Sequence, residues 1–311
     1  MDEFELTRRV LDDDAVDAAA LERVRSRLRT EIRKERPRRR NRWIVAAAAA
    51  VVTLVVLTGL IGPSPHQAAA MELRRLARIA ATEQPLEQGP GEYLRFRWEE
   101  LRRETVSTMG TDGTLTINTR LRVSTWIALD RSGYRREDVE SSTISEADRE
   151  AWIEADRPTF DLPRTFEYSS GEAPIHDVSL LPTDPDSLLR ALRSGAVVER
   201  PPGDDQVFLV IGEILGQGVA SPPLRSSLFE VAARLEGVEL VGPIEDPLGR
   251  PGTAVELEGA GSRTRLVFDT VSARLLAFEL YEAEGTDGMA LRSWIAYEPT
   301  VVVDEAQTPG R

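Results

Sequence analysis

LTINTRLRVSTWIAL, Leu115 to Leu129, reads as one long β-strand. Leu115, Ile117, Thr119, Leu121, Val123, Thr125, Ile127 and Leu129 fall on one side, and Asn118, Arg120, Arg122 and Ser124 on the other. Successive side chains of a strand point to opposite faces, so the alternation describes one buried face and one wet face; a helix would mix the two sets. A strand this long with a solvated side predicts a curved antiparallel sheet.

Upstream, a Gly89-Pro90-Gly91 break precedes a second alternating run, Tyr93–Trp98, in which Leu94, Phe96 and Trp98 oppose Arg95 and Arg97. Downstream, Asp130–Gly133 turns into a strand over Tyr134–Val139. A Ser/Glu/Asp-rich stretch from Glu140 to Gly171 follows, with a short helix at Glu146–Glu154. Helices come next. In Leu181–Leu192, Thr183 or Asp184 can cap the N-terminus, Pro185 suits the first turn, Leu188, Leu189 and Leu192 form the buried stripe, and Gly195 is the stop. Asp205–Gly216 carries Val207, Phe208, Ile211, Ile214 and Leu215 at helical spacing. Ser221-Pro222-Pro223 opens another helix, with Leu224, Leu228, Val231 and Leu235 inward and Gly237 as its stop. Strands then return over Val238–Val241, Thr253–Glu258, Arg263–Phe268, Arg274–Tyr281 and Met289–Tyr297, with Asp269–Ala273 as a tight hairpin. Strands, helices and strands again predict an α+β ectodomain, a curved antiparallel sheet (half-barrel) with helices packed on one face.

This domain follows a segment of a different kind. Trp43–Ile61, WIVAAAAAVVTLVVLTGLI, carries no charge, and its hydroxyls, Thr53 and Thr58, can bond back to preceding carbonyls. About 20 apolar residues span the ~30 Å hydrocarbon core, so a single transmembrane helix is expected, ended by Gly62, Pro63 and Pro65. Ala68-Ala69-Ala70 would suit signal-peptide cleavage, but the preceding residues are too many and too acidic for a signal n-region. Basic residues crowd the N-terminal flank, ending in RKERPRRRNR (Arg33–Arg42), whereas Arg74, Arg75 and Arg78 alone flank the other end. The positive-inside bias therefore places the N-terminus in the cytoplasm and the C-terminal domain outside the cell membrane. The expected organisation is a cytosolic basic tail at 1–42, the membrane helix at 43–61, a juxtamembrane helix (Met71–Ala81) and linker within 62–90, an α+β domain at 91–303 and a short tail at 304–311.

Of 39 basic and 52 acidic side chains, 13 and 10 precede Trp43, so the tail is +3 and the rest of the chain −16. A domain this acidic repels nucleic acid, and none is expected as a partner. With no cysteine, disulfides, thiol catalysis and cysteine-ligated zinc are excluded. In the tail, Leu21, Val24, Leu28 and Ile32 recur at spacings of three and four among arginines. Such a helix is marginal alone, so this stripe either docks on a cytosolic partner or lies on the inner leaflet.

Signals for chemistry are few. His66 lies near the anchor and His176 in a polar loop, neither with a partner at metal-ligand spacing. Gly216-Gln217-Gly218 resembles part of a nucleotide loop but follows a helix, so it reads as a helix stop. Asp184 and Asp186 stand at a helix start, where capping outweighs acid–base work. No nucleophile elbow, phosphate loop or zinc-protease motif occurs. The expectation is a protein that is not an enzyme, with no catalytic residue, metal or cofactor.

Three stretches taken together carry a resemblance: LPTDPDSLLRAL (Leu181–Leu192), LVGPIEDPLGRPGTA (Leu240–Ala254) and LVFDTVSARLL (Leu266–Leu276). With the basic tail, one anchor and Gly91-Glu92-Tyr93-Leu94, they resemble an actinobacterial family of single-pass membrane proteins often encoded beside extracytoplasmic-function sigma factors. The ectodomain is also similar to the half-barrel of lipoprotein-carrier and sigma-regulator sensor proteins. The resemblance implies a regulatory role, with a sigma factor or other regulator as cytosolic partner of the tail; it brings no catalytic residues. The zinc-binding anti-sigma motif is absent, since it needs cysteines. Two functions follow: a transmembrane regulator whose ectodomain senses a ligand, or an anchored carrier for a lipid or hydrophobic peptide.

Overall fold

In the computed structural model, the strand expected from Leu115 onward is β2 (Thr114–Ile127), paired along its whole length with β1 (Glu92–Ser107). The structure describes residues 63–107, 114–154, 163–194, 203–259, 261–284 and 288–304, all within the unit Pro63–Arg311. The segment 43–61 and the tail residues Leu21, Val24, Leu28 and Ile32 lie outside them. Among the described residues no helix is long and apolar enough to cross a membrane.

The fold is α+β, built on a large antiparallel sheet with several helices. β3 (Gly133–Ile144) and β4 (Arg164–Tyr168) continue from β2 as a meander. A second meander runs through β5 (Glu239–Glu245), β6 (Pro251–Gly259), β7 (Ser262–Phe268), β8 (Leu275–Glu284) and β9 (Gly288–Tyr297). The two join where β9 pairs with β1, giving the order β4-β3-β2-β1-β9-β8-β7-β6-β5. β10 (Val301–Asp304) pairs with Glu92–Arg95 on the edge of β1 that β9 also uses. Bulges interrupt β2–β3, β5–β6, β7–β8 and β8–β9, and such irregularities bend and twist strands.

Among the described residues the α-helices are α1 (Pro65–Ala80), α2 (Arg149–Glu154), α3 (Pro185–Arg193), α4 (Asp204–Gln217) and α5 (Pro222–Ala232). Cross-strand register puts Leu266 and Phe268 of β7, Val255 and Leu257 of β6, Phe278 of β8 and Ile295 of β9 on one face. That face meets α1, α3, α4 and α5 in the main core. α4 is apolar nearly all round, with Val207, Phe208, Val210, Ile211, Ile214 and Leu215 buried, as a helix between a sheet and another helix must be. On α5, Phe229 meets Phe268 edge-to-face at 5.2 Å, the offset geometry aromatic quadrupoles favour. α3 begins as read, with Asp184 accepting from Ser187 N–H at 2.9 Å and Pro185 in its first turn.

The structure departs from the sequence reading in instructive places. The helix expected from Met71 starts at Pro65, because Ser64 and Gln67 form a reciprocal capping box and proline suits a first turn. Its buried side chains, among them Leu73, Leu76 and Ala77, belong to the main core, and His66 Nδ1 lies 3.0 Å from the Val238 carbonyl. β1 runs to Ser107, beyond the expected Trp98: β2 offers a full ladder of partners, and pairing overrides the charged composition of Glu99–Glu104. β4 and β10 were not expected from sequence. On β2, Leu115, Ile117, Leu121, Val123 and Ile127 are buried as read, but the strand stops before Leu129, which is exposed, and Trp126 is buried on the other face.

Candidate functional site

The Gly216-Gln217-Gly218 stretch marks one wall of a concave site. α4 ends at Gly218, whose φ of 64° is left-handed and favours glycine. Glycine is needed for room as well, at both ends of this stretch. A Cβ at Gly216 would lie 2.3 Å from Tyr297 Cζ, and one at Gly218 2.3 Å from Thr300 Oγ1. The end of α4 is thus seated directly on the end of β9, confirming the helix-stop reading and adding a packing role.

Beside this contact opens a cleft of about 520 Å³ between the α4–α5 turn, the segment Glu83–Leu86, the β7–β8 turn and Tyr297–Thr300. Leu94, Leu215, Val219 and Leu275 supply apolar wall. The polar rim is organised by arginines. Arg225 pairs with Glu83 and donates from Nη2 to the Ala273 carbonyl at 2.9 Å. Arg274 shares Glu83 more loosely, at 3.8 Å. Arg250 spans strand ends, donating to Asp246 Oδ2 at 2.7 Å, the Tyr297 carbonyl at 2.8 Å and the Leu276 carbonyl at 2.9 Å. Asp246 is fully buried and also accepts from the Leu248 and Arg250 N–H groups. It is a turn organiser rather than a free acid. Burial pushes the Tyr297 phenol well above its ordinary value, with the Glu213 and Glu100 carboxylates adding to the shift.

From Tyr297 the floor continues onto the long strands, where register places Trp98, Glu100, Val123 and Glu137 on the same face. Glu100 and Glu137 are buried there. Glu100 accepts from Trp98 Nε1–H at 2.8 Å and pairs with Arg102; Glu137 pairs with Arg135 at 2.7 Å, whose guanidinium lies 5.3 Å from the Trp98 ring centroid. Alternation alone could not reveal these buried carboxylates, because Glu and Arg at such spacing read as a solvated face. Next to them, Ala173 and Ile175 pack over Phe96 and Ile127, with Leu94 and Val219 at the margin. Arg131 holds this loop through the Ile175 carbonyl at 3.1 Å, and His176 Nε2 meets Glu213 at 3.1 Å.

The opposite face of the sheet is a ladder of charges. Arg120 bonds Glu99 at 2.7 Å, Arg122 pairs with Glu140, and Arg265 bonds Glu256 at 2.8 Å. Arg95 and Arg97 share this side, whereas Trp98 points to the helix side, so the arginines and that aromatic do not form one surface. Tyr281 lies under Arg263 and Arg265 and donates to Glu279 at 2.7 Å; burial, then this carboxylate, push its phenol up to about 12. Asp184 and Asp186 do not converge on a ligand: the first caps α3 and the second pairs with Arg234 at 2.6 Å. Among the described residues no three metal-ligating side chains cluster.

Against solved structures, the chain is similar to the MucA/MucB complex of Pseudomonas aeruginosa, with 12% identity, a TM-score of 0.29, and coverage of 78% of this chain and 61% of that one. No protein-family model matches the sequence. No curated protein matches it either. A DUF1329 family protein from Desulfovibrio piger is similar at 11% identity and TM-score 0.21, covering 79% of this chain and 95% of that one. Lipovitellin is similar at 9% identity and TM-score 0.19, over 72% and 26% respectively. The chain spans about three fifths of the length of the MucA/MucB chain it matches. These likenesses are too distant to carry an argument about activity.

Proposed function

We propose that the chain is a single-pass membrane protein, anchored by Trp43–Ile61 with its N-terminus in the cytoplasm, whose outer domain binds a ligand and reports it through the tail. The observation that carries the binding role is the cleft of about 520 Å³ beside Tyr297, part apolar and rimmed by arginine, a size suited to a small molecule or a short peptide segment. The asymmetry of basic residues about the apolar run supports the topology. Leu21, Val24, Leu28 and Ile32 are the surface offered to a cytosolic partner, a sigma factor in the actinobacterial family that the sequence resembles. In this reading the sheet is a half-barrel partly filled by helices, and the protein carries out no catalysis.

The test uses the full-length protein in detergent. Ligands from an envelope extract should raise its melting temperature, and Leu94→Trp with Val219→Trp, which fill the cleft, should abolish that shift. Shifts unchanged by the filled cleft would move binding elsewhere. A reporter enzyme fused after Arg311 should be active only when exported, and the opposite pattern would reverse the topology. A second reading, an anchored carrier of lipid or hydrophobic peptide, draws on the apolar wall of Leu94, Leu215, Val219 and Leu275. Native mass spectrometry showing a co-purified amphiphile would favour it.

A further inference from the structure

We infer that the exposed stripe of α1 and the neighbouring β7–β8 turn form a membrane-contact surface resting on an anionic outer leaflet; this builds on the anchored reading above. Met71 is 63% exposed and Val271 81%. Single exposed apolar side chains are ordinary on protein surfaces, so neither counts alone. Here Arg75, one turn after Met71, donates to the Thr270 carbonyl at 3.0 Å, which brings Val271 beside the stripe. Arg74 and Arg78 continue the exposed side of α1.

The neighbouring charges leave this surface basic. Glu72 bonds Arg75, and Glu230 approaches Arg74 only to 3.9 Å. Arg78 has no partner among the described residues. Counting Asp269 and Arg274 of the β7–β8 turn, four arginines face three carboxylates, within a chain whose portion after the tail is −16. An anionic leaflet attracts such a stripe and repels the acidic remainder, so charge alone selects one orientation. Arginines flanking exposed Met and Val suit an interface, where guanidinium groups reach headgroups while apolar tips enter the acyl boundary.

Chain length brings the bilayer within reach. Ser64, the N-cap of α1, follows Ile61 in the sequence by three residues, a linker that spans at most ~11 Å when fully extended. Met71 comes seven residues later, ~10 Å further at the helical rise.

The absence of cysteine makes a site-specific probe clean. Full-length protein carrying Val271→Cys, labelled with an environment-sensitive fluorophore, is placed in nanodiscs containing phosphatidylglycerol. Thr165→Cys on β4 is the control, at the far edge of the sheet from β5, against which α1 packs. The label at 271 should be blue-shifted and quenched by iodide roughly threefold less than at 165, with protection falling in zwitterionic discs or with Arg74→Gln and Arg78→Gln. Equal quenching at 271 and 165 in a chain that resists alkaline extraction overturns this inference and leaves the anchor standing. A chain released by alkali overturns both.

Discussion

Replacing Gly216 by alanine tests whether the end of α4 is seated on Tyr297 as tightly as described. The new Cβ would lie 2.3 Å from Tyr297 Cζ, more than 1 Å inside ordinary carbon contact at ~3.5–4.0 Å. Relief requires the ring or the helix end to move, and overpacking of this kind costs about 1–3 kcal/mol. Alanine also gains up to ~1 kcal/mol over glycine in helical backbone. The single variant should therefore lose only about 0–2 kcal/mol, too little to separate a clash from ordinary scatter. The double-mutant cycle separates them. Tyr297→Ala alone should cost about 3–5 kcal/mol as a large-to-small change. In the double variant there is no ring to strike, so the loss should fall short of the sum by about 1–3 kcal/mol. Urea denaturation of the four proteins, with unchanged m-values, measures the coupling. Additivity within about 0.5 kcal/mol would refute the close seating and with it this wall of the cleft.

Other consequences are as direct. Leu121→Ala and Val123→Ala should each cost about 1–4 kcal/mol, while Arg120→Ala and Arg122→Ala, whose side chains are 42% and 45% exposed, should stay near 0.5 kcal/mol; equal losses on both faces in urea melts would contradict the one-sided strand. Arg225→Ala removes the closest partner of Glu83 and a bond to the Ala273 carbonyl, and should cost about 2–4 kcal/mol in thermal melts, against less than ~0.5 for Arg78→Ala. The Arg120 hydrogen bond, opposed by burial and aided by the charges of Arg120 and Arg122, holds the Glu99 carboxyl below its ordinary range. Its contribution is therefore present above an ordinary pKa of about 4.3 and lost as pH falls through the lower folded value. Glu99→Gln should accordingly flatten the loss of stability below about pH 4, and an unchanged acid slope would refute that assignment.

The strands whose two faces differ were legible before any coordinates. On β2, aliphatic side chains oppose Arg and Asn, and the observed ladder follows that alternation. The same rule fails on β1 beyond Trp98, since Glu99 through Glu104 carry charge on both faces. One set faces solvent, while Glu100 lies buried against Trp98 and Arg102. Only the partner strand reveals which is which. The early start of α1 was written in Ser64, Pro65 and Gln67, but Pro65 also reads, with Gly62 and Pro63, as the end of the apolar run. The cleft was least legible, because Gly216 and Gly218 meet Tyr297 and Thr300 from some eighty residues away. A local window shows why a helix stops there, not what it stops against.

β1 takes β9 and β10 along one edge, so Leu101 pairs with Trp294 and Glu92 with Asp304. The first strand of the sheet thus waits for the last ones made, and closing so long a loop is slow relative to local pairing. This ordering keeps the sheet unfinished until the final strands have been made. A chain stalled before residue 288 would present the bare edge of β1, an open template for other strands and a mark by which quality-control proteases can recognise unfinished molecules.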